Sequence, residues 1–280
     1  MWLSISLFCH RANWSGLLIK CIYPFLEMLN REKKMQHYHI ELNYERGENI
    51  RFSVQVSAKD APDIASYADY YLKAYISKGG SLNDVHEPDG NTIFMDFPQN
   101  TVQYGLYSCE PGTLSTYYDP AFQQEISATI FQVAGIAEVN EETIFTLAFH
   151  LQLTLLAVTL QHSKLSFDDL MRESNRFSFP RVQPRNLDPV KAHLEKNTAR
   201  LSEIAYDILN QEGSFPDWLV HWRNICKSKM AEYNRWNAKT TDAIKTYEQL
   251  TYLIFRQLGI NEYLRSVVFY YIGKSTSVYI

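Results

Sequence analysis

The stretch Tyr38–Tyr44, YHIELNY, then Glu45-Arg46-Gly47-Glu48, then Asn49–Ser57, NIRFSVQVS, decides the fold. Two β-prone runs flank a short polar connection, and Gly47 can take the positive φ that a tight hairpin requires. Upstream, Trp2–Cys9 is a third β-prone run. Asn13 offers an N-cap to an amphipathic helix from Trp14 to about Lys34. Downstream, Asp60 and Pro62 open a helix in which Ile64, Tyr67, Ala68, Tyr71, Leu72 and Tyr75 recur at helical spacing until Gly79-Gly80. After a polar loop over 81–91, residues 92–97 and 101–108 read as strands, giving a mostly antiparallel sheet of about five strands.

From Pro120 the pattern turns helical, over 121–134, 141–161 and 166–172. The second of these is apolar nearly all round, which suits a buried core helix or the interface of a homodimer. Residues 176–189 hold Pro180, Pro184 and Pro189 and no apolar period, so they form a crossing segment. Four further helices follow at about 190–212, 216–237, 240–258 and 260–272, with Gly213 and Gly259 as stops. The fold class is therefore α+β: an α+β lobe over 1–175, the crossing segment, and a helical lobe over 190–280.

Length and composition agree with this. The chain has 280 residues, 46% hydrophobic, with 19 Tyr and 15 Phe against only 11 Gly and 10 Pro, which excludes a collagenous or disordered polymer. No apolar run approaches the roughly 18–20 residues a membrane span needs, so a soluble protein is expected, with no membrane partner. Net charge is −4, with no global electrostatic reason to bind nucleic acid. The charge is uneven: the first 180 residues balance at −8 and the last 100 at +4. A basic last third could attract an acidic peptide, but a solvated helical surface explains it more cheaply. Cys9, Cys21, Cys109 and Cys226 have no metal or disulfide spacing and read as free thiols of a reducing compartment, the cytoplasm. The N-terminus lacks the basic region and small-residue cleavage site of a secretory signal.

Several constellations compete with bland readings. His37, His39 and Glu41 share one face of a strand and could hold Zn²⁺, yet a polar hairpin face gives the same pattern; no metal is expected. His150 lies in the apolar helix and reads as a hydrogen-bonded core histidine. His221-Trp222-Arg223 and Tyr233-Asn234-Arg235-Trp236 could stack on bases or a peptide, or simply pack a bundle. Tyr263, Tyr270, Tyr271 and Tyr279, with Tyr67, Tyr70, Tyr71 and Tyr75, could line a cavity or cover a core edge. Nucleotide-binding glycine motifs and nucleophile elbows are missing, so no cofactor is expected.

The order of segments, the opening Trp2-Leu3-Ser4-Ile5-Ser6-Leu7, the helix with Leu17-Leu18, Ile22 and Pro24, and the hairpin strand Asn49–Val54 resemble the thiopeptide-type bacteriocin biosynthesis domain. That family forms the C-terminal glutamate-elimination region of class I lanthipeptide dehydratases, and its stand-alone relatives include cycloaddition enzymes that build a pyridine. The family carries H-L-R-L-R on this hairpin; Arg51 falls on the first Arg and Ser53 on the second. In Y-E-P-E-x-E-R-Y-G-G, Tyr104 and Gly105 are kept, while Asn100 falls on a Glu and Gln103 on the Arg. In S-Y-x-H-M-x-x-N-R, Ser266 is kept, and Phe269, Gly273 and Lys274 fall on the His, Asn and Arg.

Elimination of glutamate needs a base and cations for the departing carboxylate, which Phe269 and Gln103 cannot supply. Cycloaddition depends more on folding a core peptide until two dehydroalanines meet. The resemblance therefore implies a stand-alone enzyme acting on a dehydrated, leader-bearing precursor peptide, with the leader in a groove of the hairpin sheet. Tyr104, Tyr270 and Tyr271 are the candidate catalytic donors, and Arg51, Ser266 and Lys274 the candidate substrate contacts, expected to converge. Core packing is the alternative for each Tyr. A catalytically silent scaffold for the precursor or for a partner dehydratase is the alternative function.

Overall fold

The computed structural model describes residues 1–77, 96–105, 119–163, 165–170, 188–210, 212–236 and 240–276. Contacts divide them into two units: Met1–Thr143 with Gln257–Gly259, and Ile144–Arg256 with Ile260–Ile280. The expected crossing segment lies outside the described residues except for Asp188 and Pro189.

In the first unit, β1 (Trp2–Phe8), β2 (Tyr38–Asn43), β3 (Asn49–Gln55) and β4 (Thr101–Tyr104) form an antiparallel sheet in the order β2-β3-β1-β4. Among the described residues four strands stand where about five were expected. Residues 92–95 of the missing strand lie outside the described residues, and Asp96 and Phe97 are irregular backbone.

The hairpin forms as its residues dictate. Arg46 and Gly47 both take positive φ, +60° and +108°, and the Asn49 amide closes the turn by donating to Glu45 O and Gly47 O. Phe97 braces it from outside: its N–H donates to Arg46 O, and the Arg46 guanidinium lies 4.2 Å above its ring.

Strand alternation sorts side chains onto two faces. Ile5, Leu7, Ile40, Leu42, Ile50, Phe52 and Val54 make the apolar one, where Phe25 stands edge-on to Phe52 at 6.0 Å. The other carries Ser4, Ser6, His39, Glu41, Asn49, Arg51 and Ser53, and it is buried too.

Phe25 belongs to α2 (Tyr23–Arg31), which continues α1 (Trp14–Leu17) through a widened turn at Leu18–Ile22, where Tyr23 N–H reaches back to Leu18 O. Pro24 accounts for the widening. It has no N–H for Lys20 O, and its ring would crowd that carbonyl in a regular helix. Helix α3 (Ala61–Ser77) covers this region: Tyr71 OH donates to Cys21 O and Tyr75 OH to Gly16 O, and Tyr67 stacks on Phe25. Those tyrosines cover a core edge, whereas Tyr70 is 75% exposed.

At Ile40 the outer edge of β2 is capped by side chains. Ser127 on α4 (Pro120–Ala134) accepts from Ile40 N–H, and the Gln257 amide donates to Ile40 O, both at 2.9 Å. A side-chain seal of this kind removes an open strand edge.

The second unit is built around α5 (Glu141–His162), with α6 (Asp188–Asn210), α7 (Asp217–Trp236), α8 (Thr240–Gln257) and α9 (Glu262–Thr276). By length and composition α5 could cross a membrane, which corrects the expectation that no stretch qualifies. Yet 72% of its most apolar window is buried inside the protein, as in a core helix. Trp222 donates to Leu151 O, and the Gln152 amide donates to Tyr247 OH and Thr251 Oγ1 at 2.8 and 2.7 Å. Trp222 is therefore a core residue. Arg223 lies 4.8 Å above the Phe215 ring and donates to Ile208 O, so this basic-aromatic pair serves packing. The side chains of 233–236 lie outside the described set. Cys9, Cys21 and Cys226 are free and buried; burial pushes the Cys21 thiol up to about 12, leaving it protonated at neutral pH.

Candidate functional site

Strand register builds a polar row across the sheet: Glu41 on β2, Arg51 on β3, Ser6 on β1 and Gln103 on β4 are direct neighbours. One step along, His39, Ser53 and Ser4 form the next row, and Ser53 Oγ donates to Ser4 Oγ at 3.1 Å. Arg51 Nη1 donates to Glu41 Oε2 at 3.0 Å, with both side chains almost completely buried. The other oxygen of Glu41 lies 3.9 Å from His39 Nε2, and the His39 ring packs against Trp2 with centroids 5.1 Å apart. At its far end Arg51 Nη2 lies 3.9 Å from Glu45 Oε2 in the hairpin turn, where the Glu45 side chain is 64% exposed. Trp2, His39, Glu41, Arg51 and Glu45 thus form a chain running from the buried sheet face to the turn.

Sequence reading found Arg51 but not its partner. Glu41 was legible only as one of three residues on a strand face; the direct pairing of Glu41 with Arg51 is the signal that could have found it. The metal alternative for His37, His39 and Glu41 has no support, since among the described residues no group of three ligand-type side chains gathers. His37 instead pairs with Gln124 at 3.2 Å.

Tyr104 sits on the opposite face of the sheet from Arg51. Its register partner is Ile5, whereas Arg51 shares its row with Ser6 and Gln103. The two candidates therefore do not line one wall. Burial, and then the nearby Asp69 carboxylate, push the Tyr104 phenol above its usual range, so it carries its proton at neutral pH and can donate. Asp69 in turn accepts from Lys73 Nζ at 2.9 Å.

The remaining candidates lie on α9 in the second unit. Tyr271 is 5% exposed and stands edge-on to Phe145 at 5.4 Å; burial raises its pKa. Lys274 Nζ lies 5.9 Å above the Tyr270 ring, and Ser266 Oγ donates to Glu262 O one turn back. Phe269 is buried edge-on against Phe255, with centroids 5.6 Å apart.

This sheet-and-helix architecture is shared with known proteins. The family model described as lantibiotic biosynthesis dehydratase C-term matches residues 2–276, and the chain belongs to that family. Its fold is similar to that of the pyridine synthase TbtD from thiomuracin biosynthesis, at 15% identity and TM-score 0.73, covering 99% of this chain and 98% of that one. It is also similar to TsrL, at 9% identity and TM-score 0.68, over 99% and 95% of the two chains. Against the tRNA-dependent lantibiotic dehydratase MibB from Microbispora sp. 107891 the identity is 12% and the TM-score 0.57. This chain is covered to 99%, but spans only 28% of that enzyme. No curated protein matches.

Proposed function

We propose that the protein is a biosynthetic enzyme for a ribosomally made, post-translationally modified peptide, binding a dehydrated, leader-bearing precursor and promoting a pyridine-forming cycloaddition. The observation that carries this reading is the end-to-end likeness to a pyridine synthase, 98% of whose chain is matched, against 28% of a dehydratase. Such a reaction asks the protein to hold two dehydroalanines in near-attack geometry and to supply donors while water and the leader depart. The proposed donors are Tyr104 in the first unit and Tyr270 and Tyr271 in the second; Arg51, on the sheet face opposite Tyr104, is a separately proposed contact to peptide carbonyls or carboxylates, as are Ser266 and Lys274 on α9. A protonated Tyr104 suits a donor role. The free, buried thiols accord with a cytoplasmic site of action.

A second reading is a silent scaffold that binds the precursor or a partner dehydratase. It is favoured by Phe269, a buried hydrocarbon side chain where the family motif carries a histidine. Mass spectrometry of a dehydrated precursor with its leader, incubated with the protein, separates the two. Loss of water with release of the leader supports cycloaddition, and a Tyr104→Phe, Tyr270→Phe or Tyr271→Phe variant that stops it identifies the donor. Binding with unchanged mass means a scaffold. Neither binding nor mass change overturns both.

A further inference from the structure

Ile40 turns both of its backbone groups away from β3: its N–H donates to Ser127 Oγ and its C=O accepts from the Gln257 amide, each at 2.9 Å. Antiparallel pairing alternates, so the peptide groups of His39 and Glu41 on either side are left to β3 and to their register partners Ser53 and Arg51. The two side chains on Ile40 are also tied to each other. Gln257 Nε2 donates to Ser127 Oγ and to Gln123 O at 2.9 Å, and Ser127 Oγ donates to Gln123 O at 2.8 Å. The serine hydroxyl thus uses its one proton and both lone pairs. Ile40, Ser127 and Gln257 are all 0% exposed. In a dry interior such a network is stiff, and removing one member strands the others. Gln257 ends α8, but by its contacts it belongs with Met1–Thr143. Its Oε1 is buried without a hydrogen-bond partner, so the amide is kept for its N–H groups alone.

We propose that Ser127 and Gln257 are positioning residues for the polar face of the sheet. By fixing both backbone groups of Ile40 they fix where His39 and Glu41 project, and through the 3.0 Å pair with Glu41 they set the placement of Arg51. Strand alternation puts the Ile40 side chain on the apolar face and its two neighbours on the polar one. A shift of this one segment therefore displaces both polar side chains together. The inference rests on the proposed reading of Arg51 as a peptide contact, and adds the residues, distant in sequence, that aim it.

The test uses the full chain in three variants. Ser127→Ala takes away only the hydroxyl, and Gln257→Met keeps the bulk but loses the donors. Tyr71→Phe is the control, losing one hydrogen bond, to Cys21 O, beside Phe25 on the apolar side of the sheet. NMR reads amide hydrogen exchange and the Arg51 Nε–Hε signal. In both clamp variants the Glu41 and Arg51 amides are expected to exchange at least about fivefold faster relative to the β1 amides. The Arg51 Nε–Hε signal is expected to shift in both and to stay in place in Tyr71→Phe. A merely structural role would speed exchange across the sheet by one common factor and leave the Arg51 signal unmoved; that result overturns the proposal. So does a control that moves this signal as far as the clamp variants do. Ser127→Ala carries the test by itself if Gln257→Met does not fold. No precursor peptide enters the measurement, so its result stands apart from the outcome of the cycloaddition assay.

Discussion

Glu41 and Arg51 show why a single residue cannot be valued apart from its partner. Each is buried and the two pair at 3.0 Å, so Arg51→Ala or Glu41→Ala alone takes the short-range partner from a buried charged group. Either single change is expected to lower stability by about 3–5 kcal/mol in urea unfolding, while Glu41→Leu with Arg51→Met is expected to be close to neutral. An inactive Arg51→Ala protein would therefore say little about binding. His150 offers a residue-scale pH dependence. Burial lowers its pKa, while Nδ1 meets Thr146 O at 2.7 Å and the ring stands edge-on to Trp218. The unfolded chain takes up the proton first as pH falls, so this group's contribution is present above about pH 6.5 and lost below it. Thermal unfolding should show wild type losing more melting temperature than His150→Gln between about pH 7 and pH 5. An equal loss would remove His150 from the account.

At the scale of elements, spacing located most helices within a few residues, because periodicity and stop signals are local. The one long helix expected from Trp14 to Lys34 ends at Arg31 and widens at Leu18–Ile22, a consequence of Pro24. Gly259 was legible as a stop, but not the reason glycine is needed there. Its φ is +66°, and a Cβ would fall 2.3 Å from Leu42 O on the edge strand. Gly259→Ala should therefore cost at least about 2 kcal/mol, strain and clash together. Gly273, inside α9 with nothing within 4 Å of an added Cβ, provides the contrast. Gly273→Ala should stabilise by about 0.5–1 kcal/mol, measured by the same unfolding curve. A neutral Gly259→Ala would mean that the helix end and β2 can separate at little cost.

At the scale of the whole molecule, the apolar helix at 141–161 left a homodimer interface and a buried core equally open. With 72% of its apolar window buried within the chain, α5 needs no second copy to cover it. Light scattering is expected to return a mass near the 32.6 kDa of one chain; twice that mass would place an interface on some other surface. Composition, strand alternation and helical period were enough to determine an α+β chain with a hairpin sheet followed by helices, and short motifs carried the family. Those signals are local, since each depends on residues a few positions apart. Which sheet face is polar could be read from alternation, but not that this face is buried. Nor could the separation of Tyr104 from Arg51 by the sheet, which depends on the register of β1 with both neighbours. The seal on β2 is the extreme case, joining Gln257 to Ile40 across 217 residues. Pairings at that range are chosen by the packing of whole elements, and only the tertiary structure decides them.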